Sequence, residues 1–254
     1  MTRVIISGCN GKMGQVVTAM CGENPDIEIV GGFDLNPEKK NDYPVYAHPM
    51  EFPGEVDCVI DFSNPKALTD LLAFCKAKGC SVVLATTGYT PEQLLEIEEA
   101  AKEIRIFKSA NMSLGINVLL ALVKQAAKVL GSTTDIEIVE RHHNRKLDAP
   151  SGTALMIADA AASVLDYGPE YVYERHSRHE KRSPKEIGIS AVRGGTIVGE
   201  HEVIFAGTDE VLEIKHSAYS REIFANGAVK ASTFIAAQSQ PGIYNMEHLV
   251  SEVI

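Results

Sequence analysis

The first 108 residues switch repeatedly between two hydrophobic periods. Residues 3–7, 27–33, 56–62, 81–86 and 104–108 are short apolar runs of strand length. Between them, residues 12–21, 65–78 and 91–102 place their apolar side chains on one helical face. Met13, Val16, Val17 and Met20 align in the first of these runs, and Leu68, Leu71, Leu72 and Cys75 in the second. Thr90-Pro91 is a good start for the third. Strands that alternate with helices imply a parallel sheet with helices on both faces.

The first strand-to-helix joint is Gly8-Cys9-Asn10-Gly11-Lys12-Met13-Gly14. In such a turn Gly8 permits tight reversal, Gly11 lets backbone approach a pyrophosphate, and Gly14 lets the helix pack close to the sheet. The start of the helix then faces the phosphates. Three glycines alone are weak evidence, but Asp34 closes the next strand twenty positions after Gly14. An acidic residue there bonds the ribose hydroxyls of a dinucleotide. Its charge repels a 2′-phosphate and favours NADH over NADPH. Lys39 and Lys40 reverse that argument if their loop folds over the ribose.

Beyond residue 113 the pattern changes. Residues 116–130 read as an apolar helix, and 134–141 as a strand that delivers His142 and His143. Residues 154–165 read as a helix and 171–185 as an exposed charged stretch. Residues 187–193, 196–205 and 211–216 read as strands separated by glycine-rich turns. Residues 223–238 and 246–253 return to helix. This middle part is α+β in character.

The stretch from Glu140 to Ala154 gathers proton-transfer groups beside a helix start. His142 and His143 bring imidazoles, which ordinarily titrate near ~6.5, and Lys146 brings a positive charge. Pro150-Ser151-Gly152-Thr153 then opens the 154–165 run, with Ser151 or Thr153 near its cap. Unpaired amides at such a start attract a carboxylate or phosphate. In an arbitrary protein a histidine pair at a strand end merely holds a loop, and a lone lysine is solvated. Adjacent strand residues point to opposite faces, so both histidines on one metal ion is disfavoured, and no metal site is predicted.

Composition narrows the partners. The formal net charge of −10 argues against a nucleic-acid binder, yet a local cationic pocket for a small anion can sit on an acidic chain. No apolar run reaches the length of a membrane span, and no signal-peptide pattern opens the chain. Cys9, Cys21, Cys58, Cys75 and Cys80 lack metal-ligand spacing and read as buried reduced thiols. These features predict a cytoplasmic protein.

The string Glu140-Arg-His142-His143-Asn-Arg-Lys146-Leu-Asp148-Ala-Pro150-Ser151-Gly152-Thr153-Ala154 resembles the signature of the dihydrodipicolinate reductases at every fixed position. Ala85-Thr86-Thr87-Gly88 resembles that family's Gly-Thr-Thr-Gly, with Ala85 in place of glycine. Ser109-Ala110-Asn111-Met112 resembles its Ala-x-Asn-Phe, with Met112 at the aromatic position. Leu35 stands where several members carry a basic residue, which weakens the case for NADPH. The resemblance runs to the Phe224-Ala225-Asn226-Gly227-Ala228 segment.

The resemblance implies a Rossmann-like dinucleotide domain of residues 1–113 with 222–254. It implies a substrate-binding domain with a mixed sheet over 114–221, which also assembles a homotetramer. It implies reduction of a cyclic unsaturated imine dicarboxylate by NADH or NADPH in lysine and diaminopimelate biosynthesis, at the cleft between the domains. His142 matches the proton donor and Lys146 the second catalytic residue. His143, Gly152 and Thr153 match substrate-binding positions. Gly8, Cys9, Asn10, Gly11, Lys12, Met13, Asp34, Ala85, Thr86, Thr87, Ser109, Ala110, Asn111 and Met112 match cofactor-binding positions. Arg193-Gly194-Gly195 and Gly199-Glu200-His201 also resemble family segments, for which turn and packing roles suffice. Two rivals are a dehydrogenase of an amino acid such as aspartate or homoserine, and a non-catalytic nucleotide sensor. Neither needs the His-His-x-x-Lys string.

Overall fold

The computed structural model describes residues 1–36 and 41–252. In chain order the elements are β1 (Thr2–Ser7), α1 (Lys12–Gly22), β2 (Ile27–Phe33), β3 (Val45–Tyr46), β4 (Cys58–Asp61), α2 (Leu68–Lys78), β5 (Ser81–Leu84), α3 (Pro91–Ala100) and β6 (Arg105–Lys108). They continue as α4 (Leu114–Leu130), β7 (Asp135–His142), α5 (Gly152–Ala162), β8 (Glu170–Val172), β9 (Glu186–Arg193), β10 (Gly199–Ala206), β11 (Val211–Ala218), α6 (Glu222–Ala237), β12 (Gly242–Tyr244) and α7 (Met246–Ser251). The chain divides into two units, Met1–Leu114 with Glu222–Ile254, and Gly115–Arg221.

The first unit is built on a seven-stranded sheet in the order β12-β6-β5-β4-β1-β2-β3, with every pair parallel. Alternate residues of its central strands enter different cores, because successive side chains point to opposite faces. Val4, Ile6, Ile60, Val83 and Phe107 pack with Val17 of α1 and Ala225, Ala228 and Ile235 of α6. Ile5, Val59, Val82 and Ile106 pack with Leu68, Leu71 and Leu72 of α2 and Ile97 of α3. Helices on both sides explain why these strands read as unbroken apolar runs. All five cysteines are buried free thiols.

Two departures from the sequence expectation have simple causes. β3 and β12 are too short for a period to show, and they pair only at the sheet edges. Asn64 caps a 3-10 turn at Pro65–Ala67, so α2 begins at Leu68. The N-cap of α5 is Ser151, one of the two residues expected there, and its hydroxyl accepts from the Ala154 amide at 3.2 Å.

The second unit holds a mixed sheet in the order β11-β10-β7-β9-β8. β10 runs antiparallel to β7 and β11, while β9 runs parallel to β7 and β8. Ile136, Ile138, Ile187, Ile189, Val203 and Phe205 of the sheet pack against Leu119 and Val123 of α4 and Ile157, Ala158 and Ala161 of α5. The charged stretch is a mostly exposed loop over 176–182, as expected, and ion pairs tie it down. Glu186 is buried, and a buried carboxylate needs partners. Arg175 and Arg178 supply them at 2.6 and 3.4 Å, while Arg182 pairs with Asp135 and Glu137.

One glycine controls how closely α6 packs against the segment after β6 within the first unit. A Cβ on Gly227 would lie 1.7 Å from the Met112 carbonyl oxygen, whereas one on Gly168 meets nothing within 4 Å. Gly227→Ala should therefore lower stability by about 1–3 kcal/mol, and Gly168→Ala by less than about 0.5 kcal/mol. Urea unfolding midpoints of the two variants check this. Equal midpoints would mean that α6 does not need the close approach.

Candidate active site

The carboxyl ends of the parallel strands carry the residues singled out for a dinucleotide. Gly8 follows β1 with φ +75°, which L side chains rarely adopt. A Cβ on Gly14 would stand 2.1 Å from the Gly8 carbonyl oxygen, so α1 can start this close only with glycine there. Gly11 is the N-cap and supplies no side chain, and α1 has no side-chain cap. Lys12 is exposed and Met13 half-buried in the first turn. Cys9 is fully buried, and burial, then the charge of Asp34, push its thiol up to about 11. Cys9 therefore offers backbone rather than a thiolate.

Asp34 links the end of β2 to this turn. Its carboxylate accepts from the Asn10 amide at 2.9 Å and the Asn36 amide at 3.0 Å. Lys39 and Lys40 lie outside the described residues. Ala85, Thr86 and Thr87 follow β5 at the same edge, where the Ala85 amide donates to the Asp61 carbonyl at 3.0 Å. Ser109, Ala110, Asn111 and Met112 follow β6. The Ser109 hydroxyl donates to the Asn111 carbonyl at 3.2 Å, and the Asn111 side chain accepts from the Ser113 amide at 2.9 Å. Met112 is buried in the unit's core, so its side chain serves packing in this structure. Phe62 and Ser63, after β4, belong to this edge too, since a Cβ on Gly8 would lie 2.8 Å from the Phe62 carbonyl oxygen. Sequence reading missed them, although β4 lies between β1 and β5 in the sheet.

In the second unit β7 turns from apolar to polar along one face. Ile136, Ile138, Glu140 and His142 share that face by alternation. Glu140 has no exposed surface. One of its oxygens lies 2.7 Å from Nδ1 of His142, and the other accepts from the Ser151 amide at 2.9 Å. Arg193 of β9 forks onto both oxygens at 2.7 Å each. Burial pushes the Glu140 carboxyl up, but Arg193, His142 and the Ser151 amide outweigh it and hold the carboxyl below its ordinary range. An ionised carboxylate only accepts, so Nδ1 of His142 carries a hydrogen. Nε2 lies beside Gly199, where a Cβ would stand 3.1 Å away.

The start of α5 is bonded into the same cluster. Nε2 of His201 lies 3.1 Å from the Ser151 hydroxyl, and the His201 and His142 rings meet edge to face at 5.2 Å. Gly152 is exposed at the first helical position and Thr153 half-buried at the second. The Lys146 ammonium pairs with Asp148 at 2.8 Å, and holds that carboxyl below its usual range. Partial burial, followed by the charges of Arg145 and Arg221, lowers His143. The structure thus brings His142, Lys146, Gly152 and Thr153 to one end of the sheet with His143. Glu140, Arg193 and His201 were not singled out for the chemistry. Their shared face with His142 shows only once β9 and β10 are placed beside β7. Among the described residues, no group of three or more His, Cys, Asp or Glu is placed to hold a metal ion. Among them, no helix is long and apolar enough to cross a membrane.

Residues 2–112 match the family model for the N-terminal part of dihydrodipicolinate reductase, and residues 115–250 match that for its C-terminal part. The 4-hydroxy-tetrahydrodipicolinate reductase of Caldanaerobacter subterraneus subsp. tengcongensis is 58% identical, covering 99% of each chain. The protein of the same name from Clostridium tetani is 49% identical, covering 99% of this chain and 98% of the other. A solved structure, a dipicolinate-bound dihydrodipicolinate reductase from Paenisporosarcina sp. TG-14, superposes with a TM-score of 0.81 at 25% identity. It covers 98% of this chain and 99% of that one.

His201 makes the stability of the second unit depend on pH. Burial, then the neighbouring His142, push it down to about 4, and burial lowers His216 as well. An unfolded imidazole protonates near ~6.5, so the unfolded chain binds more protons between that pH and 4. Stability should be full above pH ~6.5 and fall towards pH 4, by on the order of 3 kcal/mol from His201. His201→Gln should flatten the decline in unfolding midpoint across that window. An unchanged slope would show that His201 already carries a proton when folded.

Proposed function

The chain belongs to the dihydrodipicolinate reductase family. It is an NAD(P)H-dependent oxidoreductase of lysine and diaminopimelate biosynthesis that reduces 4-hydroxy-tetrahydrodipicolinate, and we propose that its residues divide the work as follows. Loss of water from that substrate leaves a cyclic unsaturated imine dicarboxylate. Reduction adds a hydride to one ring carbon and a proton to its neighbour, giving tetrahydrodipicolinate. When bound, the reduced nicotinamide supplies the hydride. The residues after β1, β2, β5 and β6 fit that group, because Gly8 and Gly14 allow a close strand-to-helix turn and Asp34 follows β2 where an acidic residue bonds a ribose.

The observation that carries this reading is the buried Glu140–His142 pair bonded to the start of α5. His142 gives the proton from Nε2 of its doubly protonated ring, oriented by the Nδ1–H bond to Glu140, and regains one from solvent after turnover. Lys146 offsets negative charge that develops on the ring. The first amides of α5, with the Thr153 hydroxyl, hold a substrate carboxylate, and His143 binds beside it. Arg145, Lys146 and Arg221 make this region cationic on an acidic chain, which favours a dicarboxylate. We read Asp34 as selecting NADH. We place the homotetramer on the second unit, whose mixed sheet has its helices on one face. We place the protein in the cytoplasm, consistent with its free buried thiols.

A coupled assay tests this, with dihydrodipicolinate synthase making substrate in situ from pyruvate and aspartate semialdehyde. His142→Ala should lower kcat by about 10²- to 10⁴-fold, the scale of general-acid catalysis. Thr153→Val and Gly152→Ala should mainly raise KM for the substrate. Equal losses in kcat from all three would sink the division of roles. In the same assay kcat/KM should favour NADH, and Asp34→Asn should narrow the preference. A clear preference for NADPH in the unaltered chain would reverse the reading of Asp34. Light scattering should return four times the chain mass.

A further inference from the structure

We propose that Arg193 is a positioning residue for the reduction: one guanidinium fixes the proton-bearing nitrogen of His142 and anchors the loop that carries Lys146. The proposal rests on the reading of His142 and Lys146 as the proton-handling pair. Arg193 sits opposite His142 in the β7–β9 register. Its two terminal nitrogens each make two bonds. One donates to a Glu140 oxygen at 2.7 Å and to the Val192 carbonyl at 2.8 Å. The other donates to the second Glu140 oxygen at 2.7 Å and to the Asp148 carbonyl at 2.7 Å. Asp148 in turn holds Lys146.

The following glycines close the same loop. The Gly194 amide donates to the His142 carbonyl at 2.9 Å, and the Asn144 amide to the Gly195 carbonyl at 3.2 Å. Arg193-Gly194-Gly195 is therefore more than a turn.

The chemical consequence runs through Glu140. A carboxylate without exposed surface keeps its charge only with a cation or several hydrogen-bond donors beside it, and the Arg193 fork is the strongest of the donors on Glu140. While it is ionised, Glu140 can only accept, which places the hydrogen of neutral His142 on Nδ1. A protonated Glu140 would donate instead, and would move that hydrogen to Nε2. Lysine cannot replace the fork, since its three donors radiate from a single point. Among the described residues, the other charged or titratable groups around this cluster are His201 on β10, His216 paired with it on β11, His143, Arg145, Lys146 and Asp148 in the loop, and Arg221.

The test uses the full chain and its Arg193→Met, Arg193→Lys, Glu140→Gln and His142→Ala variants. Arg193→Met should lower kcat by about 10- to 100-fold, the scale on which groups that orient a histidine act. Arg193→Lys should recover only part of the loss. Nicotinamide affinity, measured by titration with NADH, should stay within about twofold.

Two readouts separate positioning from support of the fold. Nitrogen-15 NMR of labelled histidines, with His142 assigned by its absence in His142→Ala, should show Nδ1–H in the unaltered chain and Nε2–H in Arg193→Met. Removing a positive charge beside a pair that shares a proton raises the pH at which it protonates, whichever member holds it. The alkaline limb of kcat should therefore move to higher pH in Arg193→Met. If that variant does not fold, Glu140→Gln, which keeps the shape and removes the charge, must show the same tautomer change. A loss of kcat with tautomer and limb unmoved would overturn the proposal. Full turnover in His142→Ala would instead overturn the assignment of His142, leaving the tautomer measurement to decide the role of Arg193.

Discussion

The buried carboxylate of Glu140 is the group that ties together β7, β9 and the start of α5 in the second unit. It has no contact with water, so its charge survives only through the four hydrogen bonds that reach it. Those bonds come from three parts of the chain: the end of β7 itself, the amide before α5, and β9. Each would serve as an ordinary structural contact elsewhere. Gathered on one ionised group, they lock a histidine, a helix start and a loop into one arrangement. Had Glu140 been paired less completely, burial would have neutralised it and the histidine would lose its orientation.

The first unit solves a different problem with glycine. A nucleotide's phosphates need backbone amides, and amides are reached only where side chains are absent. Gly8 and Gly14 remove the two side chains that would keep strand and helix apart. Parallel strands then bring the turns after β1, β2, β4, β5 and β6 to one edge, because every crossover returns the chain to the same side. Asp34 reaches the glycine turn across that edge, where its carboxylate accepts from the Asn10 amide.

Much of this was legible beforehand, for reasons that differ between elements. Long amphipathic helices and fully buried strands advertise themselves through period, so α1, α2, α4 and β7 lie close to where hydrophobic spacing puts them. β3 and β12 did not, because two or three residues at a sheet edge have no period. The arginines at 175, 178 and 182 read as solvated from composition alone. Their partners Glu137 and Glu186 lie on strands whose neighbours are set by folding. Met112 matched a cofactor segment through the family resemblance alone, and its side chain packs into the core.

By itself the sequence determined the alternation that makes a parallel sheet, the glycine spacing with its following acid, and the string from Glu140 to Ala154. These are local features, and local features are written in consecutive residues. Only the tertiary structure decided that Arg193, some fifty positions beyond His142, forks onto the same carboxylate, and that His201 reaches the cap of α5. Strand order made those neighbours. Strand order is settled by the burial of whole faces, a sum over many residues that no short motif contains.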